Sequence, residues 1–158
     1  MVVHLFSTRF NDMTWQQNMD YRTKNDITCI YGIPYEISSK IFVDDDIFVI
    51  EMNNSKNRIE GIGLIKNRMC NDKYYKIYQD GNYNRYIYKG KFHLTRDELL
   101  NSNEELVRIL DYILFKEKTH LKRGSGFTTV SNKLLNHRIC ENMNIMRTLK
   151  NIFIESFI

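Results

Sequence analysis

Ile47-Phe-Val-Ile-Glu-Met52, Asn53-Asn-Ser-Lys-Asn57 and Arg58-Ile-Glu-Gly-Ile-Gly-Leu-Ile65 read as a strand, a polar turn and a second strand. β-Branched and apolar runs separated by an Asn-rich turn are the clearest short-range hairpin pattern a sequence can carry. A second such pair follows with almost no spacer: Tyr74-Tyr-Lys-Ile-Tyr78, the Asp80-Gly81 turn, and Tyr83-Asn-Arg-Tyr-Ile-Tyr-Lys89. The stretch from Asp46 to Lys91 is therefore expected to form an antiparallel sheet around which the other elements pack.

Toward the N-terminus, Val2 to Phe10 alternates as a strand, and Asn11-Asp12 offers the cap of a helix running to about Lys24. Trp15, Met19 and Arg22 fall at i, i+4 and i+7, so Trp15 and Met19 share a face. Trp15 either packs in the core or stands at the rim of a pocket. Asp26 to Ile33 reads as a strand ended by Gly32 and Pro34, and Tyr35 to Phe42 as a short helical turn or a loop. Asp44-Asp-Asp46 is read as a solvated turn, because consecutive carboxylates cannot converge on one cation without a bend and no EF-hand spacing follows.

Toward the C-terminus, Thr95 and Glu98 have capping-box spacing before a short turn through Leu100. Ser102 or Asn103 then caps a helix whose stripe of Leu106, Ile109, Leu110, Ile113 and Leu114 suits it to lie across the sheet. That helix is expected to end near His120, with Lys116, Lys118 and His120 complementing its dipole. Ser131 caps residues 132–136. A last helix from Arg138 carries Ile139, Met143, Met146, Leu149, Ile152 and Phe153 inward. The apolar tail 152–158 needs a surface to dock on, either the domain itself or another subunit.

A chain of 158 residues, 42% hydrophobic with a single Pro, can bury roughly two-thirds of its unfolded surface. One domain, 1–158, is expected, with a β-rich part over about 1–94 and a helical part over about 95–158. The fold class is α+β. No apolar run approaches the length of a membrane helix and the N-terminus has no basic leader, so no membrane partner and an intracellular location are expected. Cys29, Cys70 and Cys140 match no ligand spacing, which predicts free thiols and no metal or other cofactor.

The formal charge is only +4, but its distribution is uneven. Residues 64–96 hold eight Lys or Arg against Asp72 and Asp80, and residues 115–150 hold eight against Glu117 and Glu141. The richness in Asn, Ile, Lys and Tyr is also what an AT-rich genome encodes, as in many large DNA viruses. In the second hairpin, a two-residue loop would set Lys76 opposite Arg85 and Tyr78 opposite Tyr83. A four-residue loop would pair Ile77 with Tyr86 and leave Lys76, Tyr78, Arg85 and Lys89 on one face. Both registers interleave cations with rings, as surfaces that hold phosphates and bases do; strand-forming tyrosines with solubilising lysines are the alternative.

Two further features join this surface. Gly61 and Gly63 point to one face of their strand and leave a groove, filled either by a core ring such as Trp15, Phe6 or a Tyr, or by a ligand. Lys122-Arg-Gly-Ser-Gly-Phe-Thr-Thr129 is a basic Gly-rich loop without the P-loop pattern; its backbone amides, with Lys122, Arg123 and Ser125, would suit one phosphate, or it is a plain turn. His4, His93, His120 and His137 form no triad or metal spacing, so no catalytic residue is assigned.

The order of strand, Trp15-bearing helix, strand, then Asp46-Ile-Phe-Val-Ile-Glu-Met52 and Ile59-Glu-Gly-Ile-Gly-Leu-Ile65, resembles the PUA-like barrels, particularly their EVE and YTH branch. The likeness covers about Val2 to Ile65. It implies a bent antiparallel or mixed sheet, or a small barrel, surrounded by helices, that binds RNA or a modified base, often in an aromatic cage. Only Trp15 matches a cage position, where the methyl-adenosine readers use two or three Trp, so tyrosines would have to supply the rest. The expected function is non-catalytic binding of RNA or DNA. Phosphates would lie on Lys76, Arg85, Lys89, Lys122 and Arg123, and a base on Trp15 or a Tyr such as Tyr78. A structural or protein-interaction role, such as a viral assembly component acting through the C-terminal segment, is second; an enzyme acting on nucleic acid is third.

Overall fold

The computed structural model describes residues 2–116 and 121–158. Its centre is the first hairpin. β3 (Asp46–Asn53) and β4 (Arg58–Lys66) pair antiparallel, and β3 also pairs in parallel with β1 (Val3–Phe10). The Asn53 side chain accepts from the amides of Ser55 and Lys56, and Asn57 takes a left-handed φ of 54°, so the polar turn closes itself. The chain between β1 and β3 runs through α1 (Asp12–Asn25) and β2 (Cys29–Ile33). β6 (Phe92–Thr95) and the two-residue β7 (Thr128–Thr129) complete a mixed five-stranded sheet ordered β6-β4-β3-β1-β7. The sheet is open; β2 and β5 (Tyr86–Gly90) form a separate antiparallel pair. The class is α+β.

Strand periodicity sorts the core into two layers. From β3, Phe48, Ile50 and Met52 face α2 (Arg96–Ser102), α3 (Glu104–Phe115) and α5 (Ile145–Phe157), while Ile47 and Val49 face the β2/β5 pair and α1. The capping box at Thr95 and Glu98 forms, Asn103 caps α3, and the apolar stripe of α3 is buried throughout. α3 ends at Phe115; Lys118 and His120, expected in its last turn, lie outside the described residues. Ser131 caps α4 (Asn132–Leu135). The last helix begins at Ile145 behind an Asn144 cap, since Arg138–Cys140 is a 3-10 turn. Tyr35 to Phe42 is loop.

The second hairpin does not form. Residues 74–78 are not a strand, and Gly81–Asn84 is a 3-10 turn. The reason is one buried side chain: Asn84 Oδ1 accepts from the amides of Ile77 at 3.0 Å and Tyr78 at 2.9 Å, and its Nδ2 donates to the Tyr78 carbonyl at 2.7 Å. These bonds replace the ladder, so neither expected register exists. Tyr86–Gly90 instead pairs with β2, setting Tyr31 beside Tyr88, and its other edge receives the amide of Cys70. Asn84→Ala should strand two buried amides and cost about 1–3 kcal/mol. Urea denaturation checks this, and an unchanged midpoint would show the staple to be dispensable.

Each carboxylate of the acidic corner has a side-chain partner. Asp44, at a left-handed φ of 69°, pairs with Arg68; Asp45, which is buried, pairs with His4; and Asp46 pairs with Lys66. No group of three or more metal-ligating side chains occurs among the described residues. All three cysteines are free, and burial pushes the Cys29 thiol up to about 12. No described helix is long and apolar enough to cross a membrane.

Candidate functional site

Only Asn11 separates β1 from α1, and this corner is one wall of a cleft of about 370 Å³. Asn11 caps α1 by accepting from the Thr14 amide at 2.8 Å, while the Thr14 hydroxyl accepts from the Asn11 amide, so the corner is fixed by reciprocal bonds. The facing walls come from two distant segments, Tyr78–Tyr83 and the Gly-rich loop Lys122–Gly126. Tyr83 is partly open to solvent and stands edge-on to the buried Tyr78 at 6.4 Å between ring centres. A side chain at Gly32 would strike the Tyr83 carbonyl, so the turn rests directly on β2. The cleft thus joins aromatic faces to Lys122, Ser125 and the polar start of α1.

Some expected site residues converge here and others do not. Tyr78, Lys122 and Ser125 line the cleft. Tyr78 is 5% exposed, and its hydroxyl accepts from Asn18 at 2.8 Å, so it is a wall buttress and does not share an open face with Lys76, Arg85 and Lys89. Those three cations are exposed but line no part of the cleft. Lys89 lies with Lys73 beside the Tyr75 ring, and Arg85 lies over Tyr86. Arg123 is exposed next to the cleft loop. Trp15 is half-buried, edge-on to Phe10 at 5.1 Å and 5.4 Å from the Arg22 guanidinium, so its ring is held by the protein.

The Gly-rich loop and the residue before it pack on Arg9 of β1. Two carbonyls, those of Leu121 and Gly126, turn inward and accept from the Arg9 guanidinium, at 3.0 Å for the first. Gly126 needs its left-handed φ of 70° to present that carbonyl. Arg9 lines the cleft without having been assigned a role from sequence, and Tyr83 was expected only as the cross-strand partner of Tyr78. The available signal for Arg9 was its place as the one Lys or Arg of the strand Val3–Phe10.

Gly61 and Gly63 do not line the cleft. They lie above a buried polar network whose groups occupy the groove: a Cβ on Gly63 would sit 2.1 Å from the Tyr31 hydroxyl, and one on Gly61 within 2.9 Å of Glu51 and His93. Glu51 is completely buried and accepts from Arg22 at 2.9 Å and from the Tyr31 hydroxyl at 2.6 Å, with His93 Nε2 2.9 Å from its Oε1. Burial alone would raise this carboxyl, but Arg22 and His93 outweigh it and hold it down at about 2. The groove is filled from within by Tyr31, the core-ring alternative.

No protein-family model, curated protein or solved structure matches this chain.

Proposed function

We propose that the domain binds single-stranded RNA or DNA and seats one nucleotide in the cleft between Tyr83 and the Lys122–Gly126 loop. The observation that carries this reading is the meeting of an aromatic segment and a basic Gly-rich loop, far apart in sequence, in one cleft. Its volume lies near the lower end of the roughly 300–1,000 Å³ typical of small-ligand sites, enough for one base and its sugar but not for a duplex. A partly exposed tyrosine beside cations is the combination that stacks bases and neutralises phosphates. The PUA-like resemblance supports RNA or a modified base as the ligand, with tyrosines in place of additional tryptophans.

Titration of a mixed RNA and DNA pool at two salt concentrations tests the reading. Affinity should fall with salt, and Lys122→Ala should weaken binding while lowering the slope of log K against log salt by under about one unit. Tyr83→Ala should cost about 1–3 kcal/mol and leave that slope unchanged. Absence of binding at low salt would remove the proposal.

A second reading, protein interaction of the kind a viral assembly component makes, is favoured by one observation. Phe92, Ile154, Phe157 and Ile158 remain exposed around an apolar hollow of about 210 Å³ between β6 and α5. The occupant this reading takes is a second copy of the chain. Light scattering should then show a concentration-dependent mass that Ile154→Asp abolishes; a monomer at every concentration would discard it.

A further inference from the structure

Arg9 holds its charge among backbone groups. It is half-buried, and no carboxylate pairs with it among the described residues; both of its hydrogen-bond acceptors are backbone carbonyls. A guanidinium has five N–H donors, and the buried Nε of Arg9 has no acceptor. Arg22 shows the contrast within the same molecule: it is buried more deeply, at 5% side-chain exposure, and it has Glu51. Burying an unpaired charge is costly, and the cost shows as a lowered Arg9 pKa caused by desolvation. The usual resolution of such a site is an anion supplied by something else.

The surroundings say where that anion would sit. Arg9 lines the cleft, and the loop passes so close that a Cβ on Gly124 would lie 3.2 Å from the Arg9 Cζ, so the loop packs directly on the guanidinium. The two inward carbonyls fix the plane of the guanidinium; with Nε closed off from solvent, one N–H on each terminal nitrogen is left for a ligand. Lys122 adds a second cation to the same lining. The acidic side chain in the lining is Asp80, on the opposite wall, whose Oδ1 is engaged by the Asn82 amide. A planar, always-charged fork held in place with a lysine beside it matches the geometry of a phosphate oxygen pair better than that of a point-charge ligand.

We infer that the cleft is a phosphate-binding site in which the Arg9 guanidinium takes the phosphate of a nucleotide whose base lies along Tyr83. This rests on the nucleotide reading above for the base, whereas the phosphate contact stands on Arg9 itself. It also gives the Gly-rich loop a further role: the Gly126 carbonyl, with that of Leu121 just before the loop, aims a cation, and the cation holds the anion.

The test compares ligands that differ only in the phosphate. Adenosine and adenosine 5′-monophosphate, and uridine and uridine 5′-monophosphate, are titrated into the full chain and into Arg9→Gln, with inorganic phosphate as a competitor. The parent should bind each monophosphate about ten-fold or more tightly than its nucleoside, and inorganic phosphate should compete. In Arg9→Gln the ratio should fall toward one. Because Arg9 also holds the loop, the variant's melting temperature will drop; the nucleoside-to-nucleotide ratio is independent of that loss, since both ligands meet the same folded population. Arg9→Lys, which keeps the charge but not the fork, should retain an intermediate ratio. A ratio near one in the parent, failure to bind either monophosphate, or an unchanged ratio in Arg9→Gln overturns the inference. Single strands bound with no preference for phosphate would sink this inference alone, whereas monophosphates bound without any binding of strands would sink the nucleic-acid reading alone.

Discussion

Glu51→Ala is expected to be among the most damaging single substitutions in this protein, lowering stability by roughly 3–5 kcal/mol. The loss arises from what is left behind. Arg22 and Glu51 are at most 5% exposed at their side chains, and removing the carboxylate leaves the guanidinium buried without its partner and the Tyr31 hydroxyl without its acceptor. Chemical denaturation of Glu51→Ala measures the cost directly. The pair as a whole need not stabilise the fold, so the double variant Arg22→Met, Glu51→Leu should recover much of the loss. Equal stability of Glu51→Ala and the parent would show that the network carries no such penalty.

The same carboxyl links stability to pH. Its folded value of about 2 lies below its ordinary 4.5, so the folded state favours the ionised form. The stabilisation is therefore complete above pH 4.5 and is lost as pH falls through about 2. Melting temperatures measured from about pH 5 down to about pH 2 should fall less steeply for Glu51→Gln than for the parent, because the variant has no carboxyl at 51 to titrate. Parallel curves would assign acid sensitivity to other groups.

Gly63→Val should be comparably severe, at about 3 kcal/mol or more, for a steric reason. Even the first carbon of a side chain there would lie 2.1 Å from the Tyr31 hydroxyl and 3.0 Å from the Cys29 sulfur, and neither can retreat within a filled core. Displacing Tyr31 would also break its bond to Glu51. Gly81→Ala is the control: a Cβ at that position meets nothing within 4 Å, so its effect should stay within about 0.5 kcal/mol. A Gly63→Val protein that melts with the parent would mean that the groove beneath β4 is open to ligands after all.

How much of this was legible beforehand depended on the range of the interactions involved. The β3/β4 hairpin, the caps at Asn11, Thr95, Asn103 and Ser131, and the apolar stripe of α3 were all readable, because each is decided within a few residues by periodicity or by a side chain reaching its own backbone. The second hairpin misled for the same reason. Its composition satisfies every local rule, but the ladder is lost to the Asn84 side chain, and β5 finds β2, more than fifty residues upstream, as its partner.

For the site, composition marked Tyr78, Lys122 and Ser125, but which cations stand together was beyond it: Lys76, Arg85 and Lys89 are as basic as Lys122 and lie elsewhere. The charge of Glu51 interrupts an apolar strand in plain view, but its partners Arg22, Tyr31 and His93 come from three other elements. Arg9 was equally visible and equally mute. By itself, the sequence determined the β3/β4 hairpin, the helix caps and the apolar stripe of α3, since those follow from spacing along the chain. Only the tertiary structure decided which buried charges are paired, because desolvation and Coulomb attraction depend on distances in space that no spacing along the chain encodes.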